Sequence, residues 1–104
     1  MSATLSTHVL DTSQGKPAAG LAVRHEERRD GEWHEISTFR TDDDGRVPGW
    51  SVASGEHRLV FDTGAHLGPE AFYPEVTLAF RVDHGHYHVP LLISPFGYTT
   101  YRGS

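Results

Sequence analysis

The sequence predicts an all-β chain: an antiparallel two-sheet sandwich of seven or eight strands with at most one short helix. Three observations carry this. Turn-forming clusters recur at short intervals, at Ser13 to Pro17, Arg29 to Gly31, Asp42 to Gly45, Ser54-Gly55, Gly64 to Pro69, Asp83 to Gly85 and Ser94 to Gly97. The segments between them alternate apolar and polar residues with a period of two, the mark of half-buried strands. Only residues 65–73 have room for a helical turn or two, closely bounded by Pro69 and Pro74. Many short strands separated by turns bury their apolar faces by stacking as two sheets.

The elements follow in order. A first strand over Thr4 to Leu10 puts Leu5, Thr7 and Val9 on one face and Ser6, His8 and Leu10 on the other. Strands over Gly20 to Arg29 and Glu32 to Arg40 flank Asp30-Gly31. In the second of these, Trp33, Ile36 and Phe39 break the period of two, which means a bulge or a change of face. Asp44-Gly45 reads as a tight hairpin turn that leaves Arg46 at the start of a short strand over Val47 to Trp50. A strand over Gly55 to Asp62 interleaves Leu59 and Phe61 with Arg58 and Val60, and one over Glu75 to Val82 sets Val76, Leu78, Phe80 and Val82 on a single face. The strand Tyr87 to Ile93 has a core row of Tyr87, Val89, Leu91 and Ile93, leaving His86, His88, Pro90 and Leu92 opposite; Gly97 to Tyr101 completes the set.

With 104 residues, the chain is expected to form one domain over 1–104. Val, Leu, Ile and Phe number 23, just above the roughly 20% floor for folded chains, so the core is modest and would gain from packing against other subunits. The absence of cysteine removes disulfides, thiolate nucleophiles and Cys-ligated zinc. Nine basic against 14 acidic residues give a net charge of -5, which speaks against nucleic acid as a partner. No apolar run approaches the roughly 18 residues of a membrane span, and Met1 to His8 has neither a basic nor an apolar leader region, so a soluble, cytoplasmic protein with no membrane partner is expected.

Eight histidines are the compositional oddity. A lone histidine is ordinarily a solvated or hydrogen-bonded surface group. His8 and His88 differ because both point outward beside Leu10, Pro90 and Leu92, an apolar patch that asks to be covered, most economically by another subunit. A covered imidazole near a cation is neutral near pH 7 and able to accept a proton from water. Pro90 fits an edge, a bulge or an irregular pairing, since it lacks the donor a central strand needs. His84, His86 and His88, spaced by two, are the second constellation: on a regular strand they share a face as zinc ligands, although Gly85 falls in the turn. A calcium loop at Asp42 to Gly45 fails, because matching Gly45 to the loop glycine puts Arg40 and Ser51 at the first and last ligand positions. Arg46, if turned into the covered face, offers a fork of donors suited to a planar imide or carboxylate. No Gly-x-Ser-x-Gly elbow occurs, so Ser104 is not expected to be a nucleophile; the Tyr101 to Ser104 tail is expected to be tied down and to supply polar contacts.

These residues stand in longer blocks: Leu5 to Asp11 as LSTHVLD, Gly15 to Ala18 as GKPA, Thr41 to Arg46 as TDDDGR, Phe72-Tyr73-Pro74, His86 to Tyr98 as HYHVPLLISPFGY, and Tyr101 to Ser104 as YRGS. Over nearly the whole chain the sequence resembles the transthyretin-like family and, within it, the 5-hydroxyisourate hydrolases of purine catabolism. The terminal Tyr-Arg-Gly-Ser marks the hydrolases against the hormone-carrying transthyretins. The resemblance implies a homotetramer with sites in the channel between dimers, where His8, Arg46 and His88 are catalytic and also bind substrate with Tyr101 and Ser104. It implies no cofactor and no metal, and a lactam opening of 5-hydroxyisourate to 2-oxo-4-hydroxy-4-carboxy-5-ureidoimidazoline by His-assisted water attack. The segment between Asp62 and Phe72 looks short for the family. The alternatives are a small-ligand carrier using the same inter-dimer channel and a His-ligated zinc hydrolase.

Overall fold

Alternation along the first strand decides which way the sandwich faces. In a computed structural model that describes residues 2–104, β1 (Ser2–Asp11) buries Ala3, Leu5, Thr7, Val9 and Asp11 and leaves the intervening residues at the surface. After it come β2 (Lys16–Pro17), β3 (Ala22–Arg29), β4 (Glu32–Arg40), β5 (Arg46–Ala53), β6 (Gly55–Phe61), α1 (Thr63–Leu67), β7 (Val76–Val82), β8 (Gly85–Ser94) and β9 (Gly97–Thr100). One sheet runs β2-β1-β8-β9 with β5 also paired to β1; the other runs β4-β3-β6-β7. The expected two-sheet sandwich is present, with nine strands among the described residues because the two-residue β2 joins the edge of β1. One pair departs from the antiparallel rule: β1 and β8 run parallel from Ala3 beside Gly85 to Asp11 beside Ile93.

Leu5, Val9, Val23, Leu59, Phe61 and Leu91 are fully buried between the sheets. At about 1.5–3 kcal/mol for each large apolar side chain taken from water, this row dominates the stabilisation. The broken period of β4 is a bulge at Ile36: His25 faces Ser37 and Glu26 faces Glu35, so Ile36 has no partner on β3.

The turn before Arg46 needs a correction. Asp42 to Gly45 forms a tight turn, the Gly45 N–H donating to the Asp42 carbonyl at 2.9 Å, but it is not a hairpin within one sheet. It carries the chain from β4 in one sheet to β5 in the other, and the Asp42 carboxylate accepts the N–H groups of Asp44 and Arg46 to hold it. Gly45 has a φ of 76°, and a Cβ there would lie 2.4 Å from the Val9 carbonyl oxygen; the turn packs directly on β1.

The helix starts earlier than expected, because the Asp62 side chain accepts the Ala65 N–H as an N-cap, and it stops at Gly68, whose φ is 88°. Pro90, expected outside with Leu10 and Leu92, is buried, whereas those two leucines are half-buried. Its position is the irregular pairing that proline tolerates: it falls between the last β8–β9 rung, Leu91 with Thr100, and an isolated bridge from His88 to Gly103. Among the described residues no helix is long and apolar enough to cross a membrane.

Candidate active site

Three adjacent strands, β5, β1 and β8, present their outer faces together. Register sets Arg46 opposite His8 on one side of β1, and His88 and His86 beside Ser6 and Thr4 on the other. The period of two does the rest: Thr4, Ser6 and His8 leave β1 on the same face, as His86 and His88 leave β8. An open groove of about 360 Å³ lies over this face, and Ser6, Arg46, Pro48, His86, His88 and Ser104 line it.

A chain of hydrogen bonds runs along the face. Thr4 Oγ1 is 2.6 Å from His86 Nδ1, His86 Nε2 is 3.0 Å from Ser6 Oγ, and Ser6 Oγ is 2.8 Å from His88 Nδ1. A serine hydroxyl has a single proton, so Ser6 donates to one imidazole and accepts from the other. His88 Nε2, at the far end of its ring, has no hydrogen bond among the described residues. Burial pushes the His88 pKa below the ordinary histidine value, and the positive charge of Arg46 lowers it further, with smaller effects of the same sign from His8 and His86; a hydrogen bond to the Ser6 backbone works the other way. His88 is therefore a neutral imidazole at pH 7.

The C-terminal tail closes one end. Gly103 donates its N–H to the His88 carbonyl at 2.8 Å and packs against the His88 side chain; a Cβ there would stand 2.6 Å from His88 Cδ2. That contact demands glycine and delivers Ser104 into the groove. Tyr101 goes elsewhere. It is 59% exposed and, with Arg102, lines a separate apolar groove of about 440 Å³ beside Phe80 and Tyr87, where the Arg102 guanidinium sits 4.4 Å from the Tyr87 ring centre. Within one chain, then, Arg46, His88 and Ser104 meet, while Tyr101 stands apart. His8 flanks Arg46 without lining the groove, and its Nε2–H donates to the Asp44 carbonyl at 2.9 Å.

The His84, His86 and His88 trio does not assemble. His84 precedes β8 and turns to the Asp83 carboxylate at 3.4 Å, and no three His, Cys, Asp or Glu among the described residues are grouped to hold a metal ion.

Reasoning from the sequence passed over four residues. Ser6 shares the outward row of His8, so its position was readable but its role as the link between two imidazoles was not. Gly103 sat unremarked inside the tail block. His25 and His57 are buried between the sheets, 2.9 Å apart from Nε2 to Nδ1, and the signal in the sequence is their place in the apolar rows of Val23 and of Leu59 and Phe61.

Residues 5–103 match the model of the HIUase/Transthyretin family. The chain belongs to that family. It is 42% identical over 109 residues to the 5-hydroxyisourate hydrolase of Salmonella typhimurium, covering 96% of this chain and 80% of that one. Its fold is similar to the solved 5-hydroxyisourate hydrolase of Klebsiella pneumoniae, with a TM-score of 0.85, 36% identity and coverage of 98% and 99% of the two chains. It is also similar to sea bream transthyretin solved in complex with thyroxine, with a TM-score of 0.84, 28% identity and coverage of 95% and 93%. Its relatives thus include a hydrolase and a thyroxine-bound transthyretin, and the groove has to distinguish them.

Proposed function

We propose that this member of the HIUase/Transthyretin family is a 5-hydroxyisourate hydrolase of purine catabolism. The observation that carries the reading is the meeting of a neutral His88, the Arg46 guanidinium and the Ser104 tail in one groove. A carrier needs a fitted apolar cavity; a lactam hydrolase needs a base, a cation for oxygen charge and polar contacts for the ring edge, and this groove holds all three.

His88 takes a proton from water through Nε2 as the water oxygen attacks the lactam carbonyl carbon. Arg46 holds the substrate and stabilises the negative oxygen of the tetrahedral species. The C–N bond then breaks, and the proton held on His88 passes to the leaving nitrogen, giving 2-oxo-4-hydroxy-4-carboxy-5-ureidoimidazoline. His8, with Nε2–H fixed on the Asp44 carbonyl, is an orienting group rather than the base. Ser104 contacts the ring edge, and Tyr101 reaches substrate when a neighbouring copy brings its groove into the channel. The functional assembly in this reading is a homotetramer, which supplies the missing wall over the open face and covers Leu10 and Leu92. The enzyme acts in the cytoplasm, which fractionation with assay of each compartment checks.

The test is ultraviolet monitoring of freshly generated 5-hydroxyisourate, with and without chelator, alongside a sedimentation mass. The enzyme accelerates the decay well beyond the spontaneous rate, chelator changes nothing, and the mass is four chains. A carrier would slow the spontaneous loss, and a zinc hydrolase would stop on chelation.

A further inference from the structure

We propose that Ser6, His86 and Thr4 form a proton relay to His88, which fixes the tautomer of its ring and carries its Nδ1 proton to solvent. The inference rests on the reading of His88 as the base and extends it to three residues not assigned a role there.

Two arrangements of protons satisfy the chain Thr4–His86–Ser6–His88. In one, His88 Nδ1–H donates to Ser6 Oγ, the Ser6 hydroxyl donates to His86 Nε2, and His86 Nδ1–H donates to Thr4 Oγ1. In the other, every donor is reversed, from Thr4 to His88. They differ at the groove: the first leaves a lone pair on His88 Nε2, the second a proton. Arg46 lines the same groove, and a guanidinium cation favours a lone pair over an N–H dipole pointing toward it. The resting chain therefore runs from His88 to Thr4, with His88 ready to accept a proton.

The same chain explains how that proton is handled. When water gives a proton to Nε2, the Nδ1 proton moves to Ser6, the Ser6 hydroxyl proton to His86 Nε2, the His86 Nδ1 proton to Thr4, and the Thr4 hydroxyl proton to solvent. Thr4, the last group, is half-buried beside the exposed His86, so the relay ends at solvent. Each group then holds the opposite tautomer, and His88 carries its proton on Nε2, where the leaving nitrogen takes it. The return sequence, drawing one proton from solvent through Thr4, restores the start; water has added across one C–N bond and no proton is gained or lost. Besides His86 on its own strand, the charged or titratable groups facing His88 are Arg46 from β5 and His8 from β1.

Two measurements test this on the intact protein. Nitrogen-15 spectra of labelled histidine report the tautomer directly: His88 and His86 are both expected as Nδ1–H near pH 7, and Nε2–H on either ring overturns the relay whatever the activity. Kinetically, Ser6→Ala is expected to lower kcat about 10- to 100-fold with KM within about twofold, and to move the acid limb of kcat/KM to lower pH; Ser6→Thr, which keeps the hydroxyl, restores both. Unchanged kcat and pH profile in Ser6→Ala overturn the relay, and so does a loss that Ser6→Thr does not rescue. Wild-type protein that fails to accelerate hydroxyisourate decay instead overturns the hydrolase reading, which the tautomer measurement leaves separate.

Discussion

Two histidine pairs on this small chain are wired alike and differ in one nitrogen. Between the sheets, His57 Nε2–H donates to the Ala53 carbonyl at 2.7 Å, which leaves Nδ1 bare to accept His25 Nε2–H; His25 Nδ1 in turn accepts the Trp50 indole N–H at 3.4 Å. All four ring nitrogens are used. On the outer face, His86 and His88 are joined through Ser6, and one nitrogen, His88 Nε2, is left over. Both pairs contain a neutral ring, but burial does it almost alone for His25, whose pKa falls from 6.5 to about 4 with help from the neighbouring His57, whereas His88 adds the charge of Arg46 to partial burial. The comparison teaches that a neutral imidazole is a structural linker when its nitrogens are all engaged and a reagent when one faces a groove.

The largest effect expected from breaking this contrast lies at the outer pair. His88→Ala and Arg46→Ala should each cut turnover by at least about 100-fold, up to roughly 10,000-fold for the base, with the sedimentation mass unchanged. Near-wild-type turnover in either removes that residue from the mechanism.

Acid acts next, and on the inner pair. The folded state keeps His25 neutral while the unfolded chain binds a proton below about pH 6.5, so stability from this group is complete above pH 6.5 and lost as pH falls toward 4. At about 1.4 kcal/mol per pKa unit, the loss approaches roughly 3 kcal/mol, measured by urea unfolding at pH 7 and pH 4. A His25→Leu variant whose stability falls as steeply over that range would assign the loss to other groups. Activity responds to acid through His88: the acid limb of kcat/KM should lie to the acid side of an ordinary histidine, because burial and the Arg46 charge lower the pKa of the group that must be deprotonated.

Gly103→Ala sharpens the contrast by leaving every hydrogen-bonding group of the site in place. Its Cβ would collide with His88 Cδ2, and a ring moved by a fraction of an ångström to one ångström should cost roughly 10- to 100-fold in kcat, with thermal stability close to wild type. The smallest effect on catalysis belongs to His57→Leu. It strands the buried His25 N–H, at a cost of about 1–3 kcal/mol in unfolding, while turnover of the folded protein stays within about twofold. A large kcat loss in that variant would mean the two pairs are coupled.

Much of the fold was legible because strand signals are local. Alternation in Thr4 to Leu10 and Tyr87 to Ile93 assigned the outward rows except for the buried Pro90, and with them the face on which His8 and His88 stand. The expected hairpin at Asp44-Gly45 failed because a tight turn looks the same whether it joins neighbours in one sheet or crosses between two; only the pairing of β5 with β1 separates the cases. The helix starts earlier than the prolines suggest because the Asp62 cap fixes its first turn, whereas Pro69 and Pro74 only bound where it can end.

The sequence by itself determined the all-β class, the inward and outward residues of most strands, and the family blocks that single out His8, Arg46, His88, Tyr101 and Ser104. Tertiary structure decided which ring nitrogens are spoken for. Ser6 and His88 are 82 residues apart in the chain, and His25 and His57 are 32 apart. Whether two such side chains meet depends on strand order and on register to the single residue, which no local pattern encodes. That placement leaves His88 Nε2 open above the sheet and closes every nitrogen between the sheets.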